Sequence, residues 1–448
     1  MKITSGTVFR LYDGNTYVYQ VGTGMSYLFS EIVYDVLRCV REKGEVSLEG
    51  LCLALGGLYD VDDPQAFRSD IRALTVSLAE QNILNGLEEP GSGNPDGGAP
   101  SPEDLINHVC IDRHILQRVC LELTYRCNER CRHCYVGDEN KSHAGELTLD
   151  EYRTVLDDLR RMGTLHLTLT GGDVAMREDF LDILRCATEK GFAVSIYTNG
   201  IGFGEETLDE IARLHPRAVS FSLYSGIPEE HDAVTGVKGS FQRTLYALMR
   251  LKCAGVLVDV KTSAMRPTRA GFPALVKLCR QLDVELETAF LLCATNHGCL
   301  SPTQLRLGDV VAYKDMMRLC VWDKPEGPEI ARDIHGPVCG AGALSLSIDP
   351  FGGVFPCNGF HVLLGNIRKV SIADIWESDK LREIYEYRFD QLGERCTRCI
   401  WRDDCLYCAG ASLAENGDVY KPIPETCLIA QAAYEVRREV SESRGEIS

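Results

Sequence analysis

Ten of the chain's twenty cysteines fall in two short clusters, and their spacing points to iron–sulfur chemistry. The first is Cys127-Asn-Glu-Arg-Cys131-Arg-His-Cys134, three thiols spaced C-x3-C-x2-C on one loop. Three thiolates can hold three irons of a cubane and leave the fourth iron without a protein ligand. Structural zinc takes four protein ligands, and ferredoxin clusters take four cysteines. The competing reading is a zinc loop completed by a distant ligand such as His133. The second cluster starts at Cys339, passes Gly352 and Cys357, continues as Cys396-x2-Cys399-x5-Cys405-x2-Cys408 and ends at Cys427. Seven thiols exceed the four that a zinc ribbon uses, and soft thiolates favour zinc or iron–sulfur over hard ions.

These residues need a scaffold. Strand and helix patterns alternate from about 118 to 320, with strands expected at 119–123, 165–170, 193–197, 218–223 and 256–261. Thr148-Leu149-Asp150-Glu151 opens one of the helices as a capping box. Such alternation implies a parallel sheet or partial barrel, with chemistry at the C-terminal ends of the strands. The Cys127 loop follows the first strand. Thr170-Gly171-Gly172-Asp173 closes the second, Thr198-Asn199-Gly200 the third, and Ser222 lies at the end of the fourth.

Before this region, residues 85–102 are rich in Gly and Pro and read as a flexible linker. The N-terminal part shows a hairpin, 8–12 and 16–19 around Asp13-Gly14-Asn15, then three helices. Gly44 stops the first helix, and Asp63-Pro64 starts the last. Cys39 and Cys52 read as core residues there, as do Cys186, Cys253 and Cys279 later on.

The 448 residues are 45% hydrophobic and carry a net charge of −18, from 47 basic and 65 acidic residues. That balance argues against a nucleic-acid grip. No long apolar run marks a membrane span, and the first residues lack the apolar stretch of a signal peptide. A cytoplasmic protein is expected. In that reducing compartment twenty cysteines point to metal rather than disulfides.

The first motif, followed by the aromatic Tyr135, resembles the signature of the radical S-adenosylmethionine (SAM) superfamily. The resemblance implies an α/β fold with a partial (β/α)6 TIM-like barrel. It also implies that the open iron chelates the amino and carboxylate groups of SAM. An electron then cleaves SAM to a 5′-deoxyadenosyl radical that abstracts hydrogen from a substrate C–H bond. Cys127, Cys131 and Cys134 would be the catalytic cluster ligands. Tyr135, Gly171, Gly172, Asp173, Thr198, Asn199 and Ser222 would contact the cofactor. Asp173 stands where the family has the Glu of Gly-Gly-Glu, which meets the methionine amino group.

The second motif resembles the SPASM domain, whose pattern is C-x(9–15)-G-x4-C, then C-x2-C-x5-C-x3-C, then C. Here Cys405 and Cys408 are one residue closer than that pattern. The resemblance implies two auxiliary clusters, hence three [4Fe-4S] clusters in all. Cys396, Cys399, Cys405 and Cys427 would hold one; Cys339, Cys357 and Cys408 would contribute to the other. The fourth iron of the latter is either ligated by Cys293, Cys299 or Cys320 or left open. The expectation adopted is an open iron that binds a substrate cysteine.

The N-terminal module, with Tyr59-Asp60-Val61-Asp62 before its last helix, resembles a RiPP recognition element, which captures leader peptides by strand addition. A DNA-binding winged helix is the alternative, and the excess of acids counts against it. The expected domains are 1–85 (leader binding), 86–102 (linker), 103–325 (barrel) and 326–448 (SPASM). Together they imply a peptide maturase that forms an intramolecular thioether, with carbon–carbon cross-linking or epimerisation as variants. The expected partners are a precursor peptide and an electron donor such as flavodoxin or ferredoxin, with no nucleic acid and no membrane. An anaerobic sulfatase maturase would carry Asp where this chain has Asn358. A non-enzymatic iron–sulfur sensor or electron carrier would not cleave SAM.

Overall fold

The computed structural model describes residues 1–59, 61, 63–86, 102–137, 144–321 and 332–444. Nearly all of the expected linker, and Asp60 and Asp62, lie outside these.

The N-terminal module is built on β2 (Thr7–Tyr12) and β3 (Asn15–Gln20), joined by Asp13 (φ 48°) and Gly14 (φ 76°). Two left-handed residues are what a two-residue hairpin turn needs. A strand not foreseen, β4 (Ser26–Ser30), pairs antiparallel with β3, and β1 (Lys2–Ile3) pairs with β5 (Leu84–Asn85). Three helices follow the sheet: α1 (Glu31–Lys43), α2 (Leu48–Gly56) and α3 (Pro64–Glu80). The α1 helix stops at Gly44, and Asp63 caps α3 by accepting from the Gln65 and Ala66 N–H groups. Phe9, Val18, Leu37, Leu51, Ile71 and Leu78 close the module's core.

This module is not merely tethered. Its sheet lays Val8, Tyr12, Tyr17 and Tyr19 against Ile106 and Cys110 of α4 (Pro102–Asp112) and against Leu165 and Ala193 of the barrel. The buried Arg10 donates to the Thr164 and Gly191 carbonyls, and Tyr12 Oη donates to the Gly163 carbonyl at 2.9 Å.

The barrel strands are β6 (Arg118–Glu122), β7 (His166–Thr170), β8 (Ala193–Thr198), β9 (Ala218–Ser222), β10 (Val258–Ser263) and β11 (Glu285–Ala289), all parallel and paired in sequence order. β11 was not anticipated because Glu285 and Glu287 break the apolar pattern. On the other side of β6 the sheet continues with β12 (Ser345–Ile348), parallel, then β13 (Gly353–Phe355) and β14 (Gly365–Asn366), antiparallel. The region assigned to the C-terminal domain therefore extends the barrel's own sheet.

Alternation within each strand sorts the side chains. Val119, Leu121, Leu167, Leu169, Val194, Ile196, Val219 and Phe221 pack outward in the main core. The inward positions are polar: Arg118, Cys120 and Glu122 on β6, His166 and Thr168 on β7, Ser195 and Tyr197 on β8. Closed barrels fill this space with branched apolar residues; here it is a polar chamber.

The C-terminal region has short elements around Val338, Phe360, Phe389, Leu392 and Tyr407. A final helix, Pro424–Arg444, packs Ile429, Ala432 and Val436 against Tyr313 and Met316 of the helix Val310–Val321. Among the lone cysteines, Cys39, Cys110 and Cys279 are buried, but Cys253 is exposed, contrary to the core role expected of it. It ends the helix Ser240–Cys253, one step beyond the buried stripe. Among the described residues no helix is long and apolar enough to cross a membrane.

Candidate functional site

The loop after β6 carries Cys127, Cys131 and Cys134 at the C-terminal end of the sheet. The Cys134 N–H donates to the Cys131 carbonyl at 3.1 Å, and Arg130 and Arg132 tie the loop to the Thr235 and Val234 carbonyls. The Glu129 N–H donates to Cys127 Sγ at 3.4 Å, and Cys131 Sγ donates to Glu129 Oε2 at 3.3 Å. Burial pushes the Cys127 thiol up to about 12 and Cys131 well above its usual range. Such thiols stay protonated until a soft cation takes the proton's place. Among the described residues no three His, Cys, Asp or Glu side chains converge enough to share a single ion.

Gly171 and Gly172 are where the loop and β7 meet. A Cβ on Gly171, at φ 138°, would lie 2.2 Å from the Thr124 carbonyl oxygen; one on Gly172 would lie 2.2 Å from that of Arg126. The Gly172 and Asp173 N–H groups donate to these same two carbonyls, at 2.6 and 2.9 Å. The glycine pair thus seats the three residues that precede Cys127.

Asp173 follows the glycine pair, and its side chain is 1% exposed. One carboxylate oxygen accepts from the Ala175 N–H at 2.9 Å; the other accepts from Thr198 Oγ1 at 2.9 Å and the Asn199 N–H at 2.7 Å. It braces β7 to β8. One methylene shorter than Glu, it stops at the end of β8. Thr198 is spent on the same brace. Asn199 reaches forward, with Nδ2 at 2.6 Å from Asn128 Oδ1 and 3.8 Å from Cys127 Sγ.

Tyr135 donates from Oη to Glu122 Oε1 at 2.5 Å, and Tyr125 donates to Glu122 Oε2 at 3.1 Å. Burial raises Glu122 to about 7 despite both bonds. Tyr135 and Ser222 line a cavity of about 650 Å³ between the strand ends and the C-terminal region. His133, Tyr197, Tyr224, Lys261, Glu287 and Asn358 line it too. His133 packs edge-on against Tyr224, with ring centroids 4.4 Å apart.

The C-terminal cysteines gather into two sets. Burial raises the thiols of Cys396, Cys405 and Cys427, and neighbouring thiols of the set, Cys399 among them, add to it. Cys339 and Cys357 sense Cys408 in the same way. Cys408 precedes the helix Ala409–Asn416 and accepts from the Ala411 N–H. Gly410 lets that helix rest on the Cys357 loop, since a Cβ there would lie 2.1 Å from the Gly359 carbonyl oxygen.

Cys293 lies beside this set. Its thiol interacts with that of Cys408, which lowers the Cys408 thiol and raises that of Cys293. Cys293 thus stands nearest to the iron expected to be open. Cys299 is exposed, and Cys320 pairs with Thr288 Oγ1 at 3.6 Å. Position held the clue to Cys293: it follows a strand end, as the other site residues do, but the strand was β11.

Arg306 fixes Cys293 in place. It donates to the Leu292 carbonyl at 2.9 and 2.6 Å and forms a buried ion pair with Glu415 on the helix behind Cys408. We expect Arg306→Met to destabilise the protein by about 2–4 kcal/mol, because it leaves the half-buried Glu415 and the Leu292 carbonyl without their partner. Thermal melts read this, and iron analysis should show loss from the auxiliary sites first. We also expect Cys293→Ala to keep SAM cleavage and change the electron paramagnetic resonance signal of one auxiliary cluster; an unaltered spectrum would remove Cys293 from the ligand set.

Residues 121–265 match the Radical SAM superfamily, and residues 339–400 match SPASM, an iron–sulfur cluster-binding domain. The AdoMet-dependent heme synthase of Methanosarcina barkeri is 27% identical over 340 residues, covering 68% of this chain and 95% of the relative. The PqqA peptide cyclase of Rhodopseudomonas palustris is 26% identical over 326 residues, covering 69% and 86%. Among solved structures, Streptococcus suis SuiB bound to precursor peptide SuiA superposes with a TM-score of 0.62 at 15% identity, covering 95% of this chain and 99% of that one.

Proposed function

We propose that this chain, which carries a radical SAM domain and a SPASM domain, is an enzyme that oxidatively cross-links a ribosomally made peptide. The observation that carries the reading is the cavity of about 650 Å³ between the three-cysteine loop and the Cys293 set. It is deep enough for a peptide segment and sits between two kinds of cluster site. The peptide-named relative and the likeness to SuiB over nearly the whole chain, N-terminal module included, support the same class.

In this reading Cys127, Cys131 and Cys134 hold the SAM-binding cluster. When bound, cluster and SAM supply a 5′-deoxyadenosyl radical. Tyr135, Gly171, Gly172, Asn199 and Ser222 shape the cofactor's side of the cavity, while Asp173 and Thr198 brace it from behind. Cys396, Cys399, Cys405 and Cys427 hold one auxiliary cluster; Cys339, Cys357, Cys408 and Cys293 hold the other. The N-terminal module takes the leader peptide at the edge of β4. The enzyme works in the cytoplasm with flavodoxin or ferredoxin as electron donor.

The expected thioether drew its support from an open iron on which a substrate thiolate would lose its proton. In the present reading Cys293 takes that iron, and the thioether is left without that support. The proposed reaction is therefore cross-linking with loss of two hydrogens, in which the radical's partner is sulfur or carbon. Anaerobic incubation of the reconstituted enzyme with SAM, dithionite and short peptides encoded beside its gene tests this by mass spectrometry. A peptide lighter by two hydrogens is expected, and iodoacetamide labelling of its cysteines separates the two bonds. 5′-Deoxyadenosine without any change in peptide mass refutes the cross-linking reading. The heme synthase relatives make a tetrapyrrole substrate the second reading, and product formation from a porphyrin precursor in the same assay would favour it.

A further inference from the structure

Glu122 is the last residue of β6 and points into the barrel, yet it is 1% exposed. Among the described residues its carboxylate has two hydrogen-bond partners, both phenols, and no cation pairs with it. A buried carboxylate without a cation is costly, and a branched apolar residue would fill the same inward position at no such cost. Burial lifts its pKa to about 7, the two phenols oppose that rise, and Asp349 adds to it.

What sets Glu122 apart is where its partners sit. Tyr125 stands two residues before Cys127, and Tyr135 directly follows Cys134. They are the two ends of the segment that carries the three thiols. Tyr135 donates to Oε1 at 2.5 Å and Tyr125 to Oε2 at 3.1 Å, so one planar group grips both ends. Tyr125 is buried edge-on against Phe351, in the turn between β12 and β13, with ring centroids 5.9 Å apart. Its oxygen also accepts from Asn296 Nδ2 at 3.5 Å, while the Asn296 N–H donates to the Tyr135 carbonyl at 2.7 Å. Tyr135 is thus fixed through both its phenol and its backbone, and it forms part of the wall of the large cavity.

We propose that Glu122 is a positioning residue: by anchoring the Tyr135 phenol it sets the ring that faces bound SAM, and by gripping Tyr125 it clamps the segment between them. The proposal rests on the reading of the three-cysteine loop as the SAM site. Glu122 acts through Tyr135. Without it the phenol loses its charged acceptor and turns toward water in the cavity, where the ring stands in the cofactor's place. A role in packing alone predicts lost stability with SAM affinity intact.

Calorimetric titration of SAM into the anaerobically reconstituted full-length protein separates the two roles without turnover. Glu122→Leu and Tyr135→Phe should each weaken binding about tenfold, the scale of one hydrogen bond to a charged group. Together they should weaken it no further, because each breaks the same contact. Glu122→Gln, which still offers Tyr135 an oxygen, should lose about threefold. Tyr12→Phe is the control: it removes another buried phenol, the one bonded to the Gly163 carbonyl, and should lower the melting temperature with SAM affinity unchanged. Iron content reports folding; where Glu122→Leu loses iron, Tyr135→Phe and Glu122→Gln are read alone. Parental affinity in Tyr135→Phe, losses that multiply in the double variant, or an equal loss in Tyr12→Phe overturns the positioning role. A parent that binds no SAM strikes the reading of the loop, and this proposal with it.

Discussion

Replacing Cys127, Cys131 and Cys134 together by alanine reduces 5′-deoxyadenosine formation to background while iron stays bound at the auxiliary cysteines. The three thiols belong to one loop on the strand ends, held by Arg130 and Arg132 through backbone bonds that do not need the cluster. The two C-terminal sets are built on separate loops around their own core of Val338, Phe360 and Tyr407. The variant therefore folds and keeps most of its iron, and the loss is chemical. Anaerobic assays with dithionite count 5′-deoxyadenosine, and iron and sulfide analysis counts the clusters. Cleavage at the parent's rate would falsify the assignment of this loop.

Gly171→Ala and Gly172→Ala lose the same activity by a different route. Each Cβ would fall 2.2 Å from a carbonyl oxygen of the segment leading into Cys127, and position 171 adds a left-handed φ of 138°. Neither obstacle is the end of a flexible side chain, so backbone must move. Strain and overpacking together cost about 2–6 kcal/mol. The segment lifts away from β7 and takes the cluster loop with it. Iron content and melting temperature should fall together. Gly204→Ala, with nothing within 4 Å of its added Cβ, is the matched control. A Gly172→Ala protein with full iron and parental melting would show that the seat is not needed.

The parts of this molecule that read clearly from sequence are those governed by spacing along the chain. The three-cysteine loop, the seven-cysteine pattern, the Asp13-Gly14 turn and the Asp63-Pro64 cap are local, and their chemistry travels with their residues. What did not read are decisions made across space. β11 carries Glu285 and Glu287 because its inward face meets a polar chamber, so no apolar alternation marks it. β12 looks like part of a loop-rich region until β6 offers it a parallel partner. Cys293 is one of three candidates, with Cys299 and Cys320, and only its place beside Cys408 in space sets it apart. Asp173 matches a motif by position, and only the fold shows its carboxylate accepting from Ala175, Thr198 and Asn199 across two strand ends.

The underside of the N-terminal sheet bears on how such enzymes can be recombined. Val8, Tyr12, Tyr17 and Tyr19 form one apolar cluster with Leu165 and Ala193, and Arg10 satisfies two carbonyls of the barrel. Trimming residues 1–85 at the expected linker therefore uncovers barrel core and orphans those carbonyls. The module is not a cassette to be cut out or swapped whole. A chimera meant to accept a foreign leader should keep this enzyme's β2, β3 and α4 and exchange only β4 and the helices above it. Whatever the module proposed to bind a leader takes up would then be exchanged on a foundation that still belongs to the barrel.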